Sequence, residues 1–292
     1  MITAVVVDGA ALADEAAPVP WWSFGKTVLA AAALALVAEG RLGLDGPVEG
    51  RPYTLRQLLQ HRAGLPEYGR LGAYHAAVAA GEAPWPREEL WRRVGADRLE
   101  FAPGGGWAYS NVGYLVVREM IEAVTGMALG PALEQLVLRP LGIGGVSVAR
   151  NPGDLAITAW GNGARYNPGW VYHGLLIGPA ASAALLLDRL LGGGLLPEPL
   201  LAAMTAAHPV GGAVPGRPWR VAGYGLGLMI GEGETGVRYT GHTGGGPGST
   251  AAVYRAGPGR TAAAFAAVDH PAEVERWAMA ASCETDTRGR SV

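Results

Sequence analysis

The sequence predicts an α+β protein in which an antiparallel sheet flanked by helices is interrupted by a helical domain. Three observations point there. A helix from about residue 24 to 39 is apolar on nearly every side and therefore belongs at the centre of the molecule. Between 41 and 205 short helical patterns follow one another, parted by Gly and Pro. After 221 the hydrophobic period shortens to that of strands. With a strand also at the start, the two ends of the chain meet in one sheet. The expected division is 1–45 with 206–292 as the sheet domain and 46–205 as the helical one, with a cleft between them as the natural site.

In chain order, ITAVVV (2–7) is β-branched and reads as a strand, closed by an Asp8-Gly9 turn. Pro18 and Pro20 hold an extended approach to Trp21 and Trp22, and the central helix ends at Glu39-Gly40. Helical patterns follow at TLRQLLQH (54–61), REELWRRV (87–94), VGYLVVREMIEAV (112–124), ALEQLVL (132–138) and SAALLLDRLL (182–191). VAGYGLGLMIG, VRYTG, TAAVYRA and TAAAFAAV then read as four strands of a meander, separated by Gly-rich turns such as Gly231-Glu232-Gly233 and Gly257-Pro258-Gly259. AEVERWAMAASC (272–283) forms an amphipathic closing helix, and the tail TDTRGRSV is expected to be loose.

The 292 residues are 49% hydrophobic and 16% charged, with a net charge of −2 and no basic run, so nothing electrostatic calls for nucleic acid or an anionic membrane. Cys283 is the one cysteine and cannot form an internal disulfide; it reads as a buried or idle thiol. The N-terminus has no basic leader, and Val28 to Ala38 is too short to span a bilayer, so a cytoplasmic protein is expected. His75, His208 and His270 lack ligand spacing, and neither a metal nor another cofactor is expected.

The chemistry centres on Ser23 and Lys26, three residues apart at the mouth of the apolar helix. That spacing sets their Cβ atoms about 5–6 Å apart on one face. Of 23 basic residues, Lys26 is the single lysine; the rest are arginine, which stays protonated. To act as a base near neutrality an ammonium must fall by about three pKa units, at a cost of about 4 kcal/mol. Burial and the positive helix start both push that way.

A second motif, FAPGGGWAYSNVGYLVV (101–117), presents Tyr109 and Asn111 from a Gly-rich loop, though Ser110 or Asn111 serves equally as a helix N-cap. The third, Gly241 to Ser249, is dense in glycine, which frees N–H groups and lets a substrate lie along the backbone. A phosphate cradle would need a helix after it, and a strand follows. No G-x-S-x-G elbow exists to support an α/β-hydrolase triad.

In this order, Ser23-x-x-Lys26, Tyr109-Ser110-Asn111 and His242-Thr243-Gly244 resemble the three motifs of the serine beta-lactamase-like hydrolases, the class C branch with its D,D-carboxypeptidases, D-aminopeptidases and esterases. LLQHRAGL (58–65), GYGLGLMI (223–230) and the flanks of the motifs are similar to family segments at the expected places. The resemblance implies the beta-lactamase/transpeptidase-like fold. It implies that Ser23 is acylated, that Lys26 helps remove its proton and that Tyr109 is general base or proton relay to the leaving group. Asn111 would orient the substrate carbonyl or Lys26, with the N–H groups of Ser23 and Gly245 as oxyanion hole. His242, Thr243, Gly244 and Gly245 would contact a small-molecule substrate.

Two departures shape the expectation. His242 stands where the family commonly has lysine, and a neutral imidazole is a poor anchor for a substrate carboxylate. Esterase or D-aminopeptidase-like chemistry is therefore expected, against the alternatives of a true beta-lactamase or D,D-carboxypeptidase and of a non-catalytic binding protein. Only 22 residues precede Ser23, fewer than in the family, so either the sheet is smaller or its edge is covered in a homodimer. His61 is expected to bond loop backbone, Trp21 and Trp22 to pack around the serine, and Tyr172 and His173 are candidates for the cleft wall.

Overall fold

A computed structural model describes residues 1–12, 17–160, 166–268 and 271–283. Its strands, in chain order, are β1 (Ile2–Val7), β2 (Ala10–Ala11), β3 (Val19–Pro20), β4 (Ser147–Ala149), β5 (Leu175–Gly178), β6 (His208–Gly211), β7 (Trp219–Tyr224), β8 (Met229–Gly233), β9 (Arg238–Gly246), β10 (Ser249–Gly257) and β11 (Arg260–Ala266). The helices are α1 (Gly25–Ala38), α2 (Leu55–Leu59), α3 (Gly72–Ala79), α4 (Arg87–Val94), α5 (Asn111–Thr125), α6 (Leu129–Leu133), α7 (Pro152–Ala156), α8 (Ala180–Leu191), α9 (Glu198–Thr205) and α10 (Pro271–Cys283).

Eight strands form one antiparallel sheet in the order β2-β1-β11-β10-β9-β8-β7-β6. The first long strand thus lies beside the last, Ile2 opposite Phe265 and Val7 opposite Arg260. Because side chains alternate along a strand, the sheet buries both faces. Ala251, Val253, Ala263 and Phe265 join the main core with α1 and α8, while Ala252, Tyr254 and Ala264 pack with Val274, Ala278 and Met279 of α10. Helix α8 therefore rests on β1, β10 and β11 of the sheet, although the sequence groups it with the helical segment.

The expected α+β architecture is present, with local differences. VAGYGLGLMIG is a hairpin, β7 and β8, and not one strand. Gly227 makes its corner at φ 73, where a Cβ would lie 2.4 Å from Ala30, so the turn rests directly on α1. Gly231-Glu232-Gly233 belongs to β8, and the reversal follows it, closed by Gly233 N–H donating to the Val237 carbonyl. The helical stretch contributes β4 and β5 to a small sheet, β3-β5-β4, that β3 joins from before the central helix; its strands of two to four residues are too short to show a period of two. The 132–138 helix is α6 followed by a π turn over Glu134–Leu138. Cys283 is exposed rather than buried, beside the Tyr239 hydroxyl. His270 and the tail from 285 lie outside the described residues. No helix among the described residues is long and apolar enough to cross a membrane.

Candidate active site

Strand β3 delivers the chain to Trp21 and Trp22, both buried; the Trp22 indole donates to Ser249 Oγ at 2.8 Å. Trp22 has φ 44, a left-handed conformation that costs a side-chain-bearing residue about 1–2 kcal/mol. The short 3-10 turn Trp22–Phe24 that follows sets Ser23 at the groove, and α1 starts at the next residue. One turn on, Lys26 is fully buried. Its Nζ lies 3.2 Å from Ser23 Oγ, 2.6 Å from Asn111 Oδ1 and 3.3 Å from His173 Nε2. All three partners are neutral, so burial lowers the Lys26 pKa from 10.5 to about 7, against the pull of Glu67 nearby.

Across the groove Ser110 caps α5, its Oγ accepting from Gly113 N–H at 3.0 Å. Tyr109 just before it donates its hydroxyl to Ser23 Oγ at 2.8 Å. Burial raises the Tyr109 pKa well above the phenol range, so it is a neutral donor. Asn111 is held at both ends: Oδ1 accepts from Lys26, while Nδ2 donates to Glu67 Oε1 at 3.0 Å and the backbone N–H donates to Glu67 Oε2. Its side chain thus orients Lys26. His61, at φ 57, accepts the Ser110 N–H on Nδ1 at 3.1 Å and stacks 4.3 Å from the Tyr109 ring, which agrees with the backbone-bonding role expected of it.

Strand β9 forms the floor. Gly244 lies so close that a Cβ there would stand 2.5 Å from the Ser23 backbone nitrogen, and one on Gly246 would stand 2.3 Å from the Trp22 ring. Gly245 is exposed, and it shares with Ser23 a groove of about 390 Å³. His242 is buried, on the wall of a cavity that Tyr109, Arg217 and Thr243 also line. Its Nδ1–H donates to the Thr243 carbonyl at 2.7 Å, leaving Nε2 to accept from the Tyr224 hydroxyl at 2.7 Å. Burial, with Lys26 close by, lowers its pKa to about 3, so it is neutral. Thr243 likewise turns its hydroxyl inward, to Glu275 and to Tyr254 at 2.7 Å.

Four residues of this site have weak or no local signal. Glu67 and His173 flank the Lys26 end, Arg217 and Glu275 the β9 end; His173 was a candidate for the cleft wall, but its contact with Lys26 closes only through the fold. Tyr172 beside it points elsewhere, donating to the Trp85 carbonyl at 3.0 Å. A larger cavity of about 520 Å³, bounded by Glu134, Arg150 and Asp154, lies away from Ser23. No cluster of three metal-binding side chains occurs among the described residues.

A serine hydroxyl bonded to both a buried lysine and a phenol, over a glycine-lined strand, matches the motif order read from the sequence. The family described as Beta-lactamase matches residues 3–283. The chain belongs to the beta-lactamase family. Within that family it is similar to esterase EstB of Burkholderia gladioli, at 35% identity over 41% of this chain and 36% of the relative. It is 31% identical to the D-alanyl-D-alanine-carboxypeptidase/endopeptidase AmpH of Escherichia coli K12 over 35% of this chain and 26% of the relative. The matched stretch thus spans about a third or less of those curated relatives. A solved D-stereospecific amidohydrolase from Streptomyces superimposes with TM-score 0.81 and 27% identity over 97% of this chain and 94% of its own.

Proposed function

We propose that this beta-lactamase family member is a serine hydrolase that passes through an acyl-enzyme on small esters, amides or peptides, with esterase or D-aminopeptidase-like preference. One observation carries the reading: Ser23 Oγ is within hydrogen-bond reach of both Lys26 Nζ (3.2 Å) and Tyr109 Oη (2.8 Å). In this reading neutral Lys26 takes the Ser23 proton as Oγ attacks the substrate carbonyl carbon. The oxyanion is met by the N–H groups of Ser23 and Gly245, each worth about 3–4 kcal/mol in comparable sites. Collapse breaks the bond to the leaving group, whose heteroatom receives a proton through Tyr109, itself resupplied from the Lys26 ammonium. Water then repeats the sequence on the acyl-enzyme and releases the acid.

Lys26 is favoured over Tyr109 as the base because burial brings the amine to about 7 and drives the phenol the other way. His173 supports the ammonium by offering a neutral acceptor. The division into 1–45 with 206–292 and 46–205 belongs to the same reading, since it sets Ser23 and β9 on one wall and Tyr109, Asn111 and His173 on the other. Carboxylate-bearing beta-lactams and D-alanyl peptides are disfavoured, because His242 is neutral with both ring nitrogens engaged. A fluorophosphonate probe followed by peptide mass spectrometry is expected to place one adduct on Ser23, absent in Ser23→Ala together with ester turnover. An unlabelled wild-type Ser23 overturns the reading.

A further inference from the structure

Helix α2 closes on a Schellman turn, in which His61 N–H donates to the Leu58 carbonyl at 3.1 Å and Arg62 N–H to the Gln57 carbonyl at 2.7 Å. The left-handed residue of such a turn is usually glycine, yet here it is His61, at φ 57. A side chain in that conformation costs about 1–2 kcal/mol. The imidazole carries a second cost. Because Nδ1 accepts the Ser110 N–H, the proton rests on Nε2, which is buried with no hydrogen-bond partner among the described residues. A buried donor left unmet costs about 1–3 kcal/mol. Glycine would avoid both.

What His61 gives in return lies on either side of Tyr109. Its carbonyl accepts the Ala108 N–H at 3.0 Å and its Nδ1 the Ser110 N–H at 3.1 Å, so one residue grips the backbone immediately before and after the tyrosine. The carbonyl bond would survive a substitution; the Nδ1 bond belongs to the side chain. Ser110 Oγ is turned to Gly113 N–H and the Pro66 carbonyl, which leaves the Ser110 N–H to His61. The imidazole also stacks on the phenol, with centroids 4.3 Å apart, and the rings of Tyr114 and Tyr224 stand at 5.2 and 4.7 Å from it. We infer that His61 is a positioning residue whose Nδ1 holds Tyr109 against Ser23, so that the phenol can pass a proton to the leaving group. The inference rests on the reading of Ser23 as nucleophile and Tyr109 as proton relay.

The hold requires a neutral imidazole, since a protonated Nδ1 would meet the Ser110 N–H donor to donor. Burial, with Lys26 and His242 close by, keeps the His61 pKa well below the ordinary imidazole range. The reach of Tyr109 to Ser23 Oγ, 2.8 Å, is thereby fixed from a helix end and not by the Gly-rich loop that presents the tyrosine. Proton transfer is sensitive to such placement: an error of about 1 Å can cost 10²-fold.

Two substitutions and two esters test this. His61→Gly fits the left-handed turn and removes Nδ1, while His61→Asn tolerates the same turn and offers Oδ1 as acceptor in its place. The esters share an acetyl group and differ in what departs: the nitrophenolate of 4-nitrophenyl acetate leaves without a proton, and the alcohol of benzyl acetate needs one. In kcat/KM, which reports acylation, His61→Gly is expected to lose about tenfold or more on benzyl acetate beyond whatever it loses on 4-nitrophenyl acetate. Tyr109→Phe is expected to show a split at least as large, and His61→Asn to recover about threefold or more of the loss. If Tyr109→Phe splits the esters but His61→Gly lowers both alike, or asparagine does no better than glycine, the positioning role alone is overturned. A Tyr109→Phe variant that lowers both esters alike removes the relay reading, and wild-type Ser23 that a fluorophosphonate leaves unlabelled removes the nucleophile; either takes this inference with it.

Discussion

Lys26 lies buried behind Ser23 and Arg217 lines the groove over it, and the chain treats the two cations in opposite ways. Lys26 is wholly buried and touches only neutral groups: a hydroxyl, an amide oxygen and an imidazole. The nearby carboxylate, Glu67, is turned to the Asn111 and Gly69 N–H groups and reaches Lys26 only through the Asn111 amide. Arg217, with 25% of its side chain exposed, is held at two nitrogens by a carboxylate that has no exposure at all. Burial opposes both charges, but it wins at Lys26 and is outweighed at Arg217, whose pKa is raised by Glu275 and neighbouring phenols. Burial among neutral contacts brings the lysine amine into the range of a base, whereas the arginine keeps its charge and Glu275 fixes it in place.

The largest break in this contrast is to make the two cations alike. Lys26→Arg leaves a charge beside Ser23 that cannot be shed. Ester turnover is expected to fall by about 10²–10⁴-fold, the usual weight of a general base, while the far-ultraviolet circular dichroism is retained. Stopped-flow acylation with an activated ester measures the loss, and a variant within threefold of wild type would remove the lysine from the proton path.

Next in size is the change at Arg217. Glu275→Gln removes the carboxylate and leaves the guanidinium with hydrogen bonds but no counter-charge. Breaking such a buried pair is expected to cost about 3–5 kcal/mol in urea unfolding. A loss under about 1 kcal/mol would mean that Arg217 holds its place without the pair.

The finest test returns to Lys26. Because the amine must be unprotonated to accept the Ser23 proton, kcat/KM is expected to rise with pH through a midpoint near 7. His173→Leu takes one acceptor from the ammonium and so weakens the charged form. The midpoint should move to lower pH by about one unit, with His173→Asn restoring part of the shift. A profile that does not move, or moves upward, would show that the imidazole at 3.3 Å only fills space.

Much of this site was legible in the chain. A serine and a lysine three apart at the start of a helix face one way whatever surrounds them. A lysine alone among arginines marks a position where a removable proton matters. The strands after 221 announced themselves by period, although glycine made a hairpin look like one strand. His242 was legible as a departure from lysine, yet its burial against Tyr224 was not, because nothing local shows which side of β9 faces the core. Glu67, Arg217 and Glu275 are ordinary acids and arginines until the fold closes around them.

By itself, then, the sequence determined the fold class and the order of the reactive groups, because helix spacing and strand period are local properties of a chain, and the family was read from the resemblance of its three motifs. Only the tertiary structure decided which groups carry charge. Lys26 meets Asn111 from 85 residues away and His173 from 147, and Arg217 meets Glu275 from 58. Protonation in a buried site follows from the loss of water and from the nearest opposite charge, and both arise only when distant segments pack together.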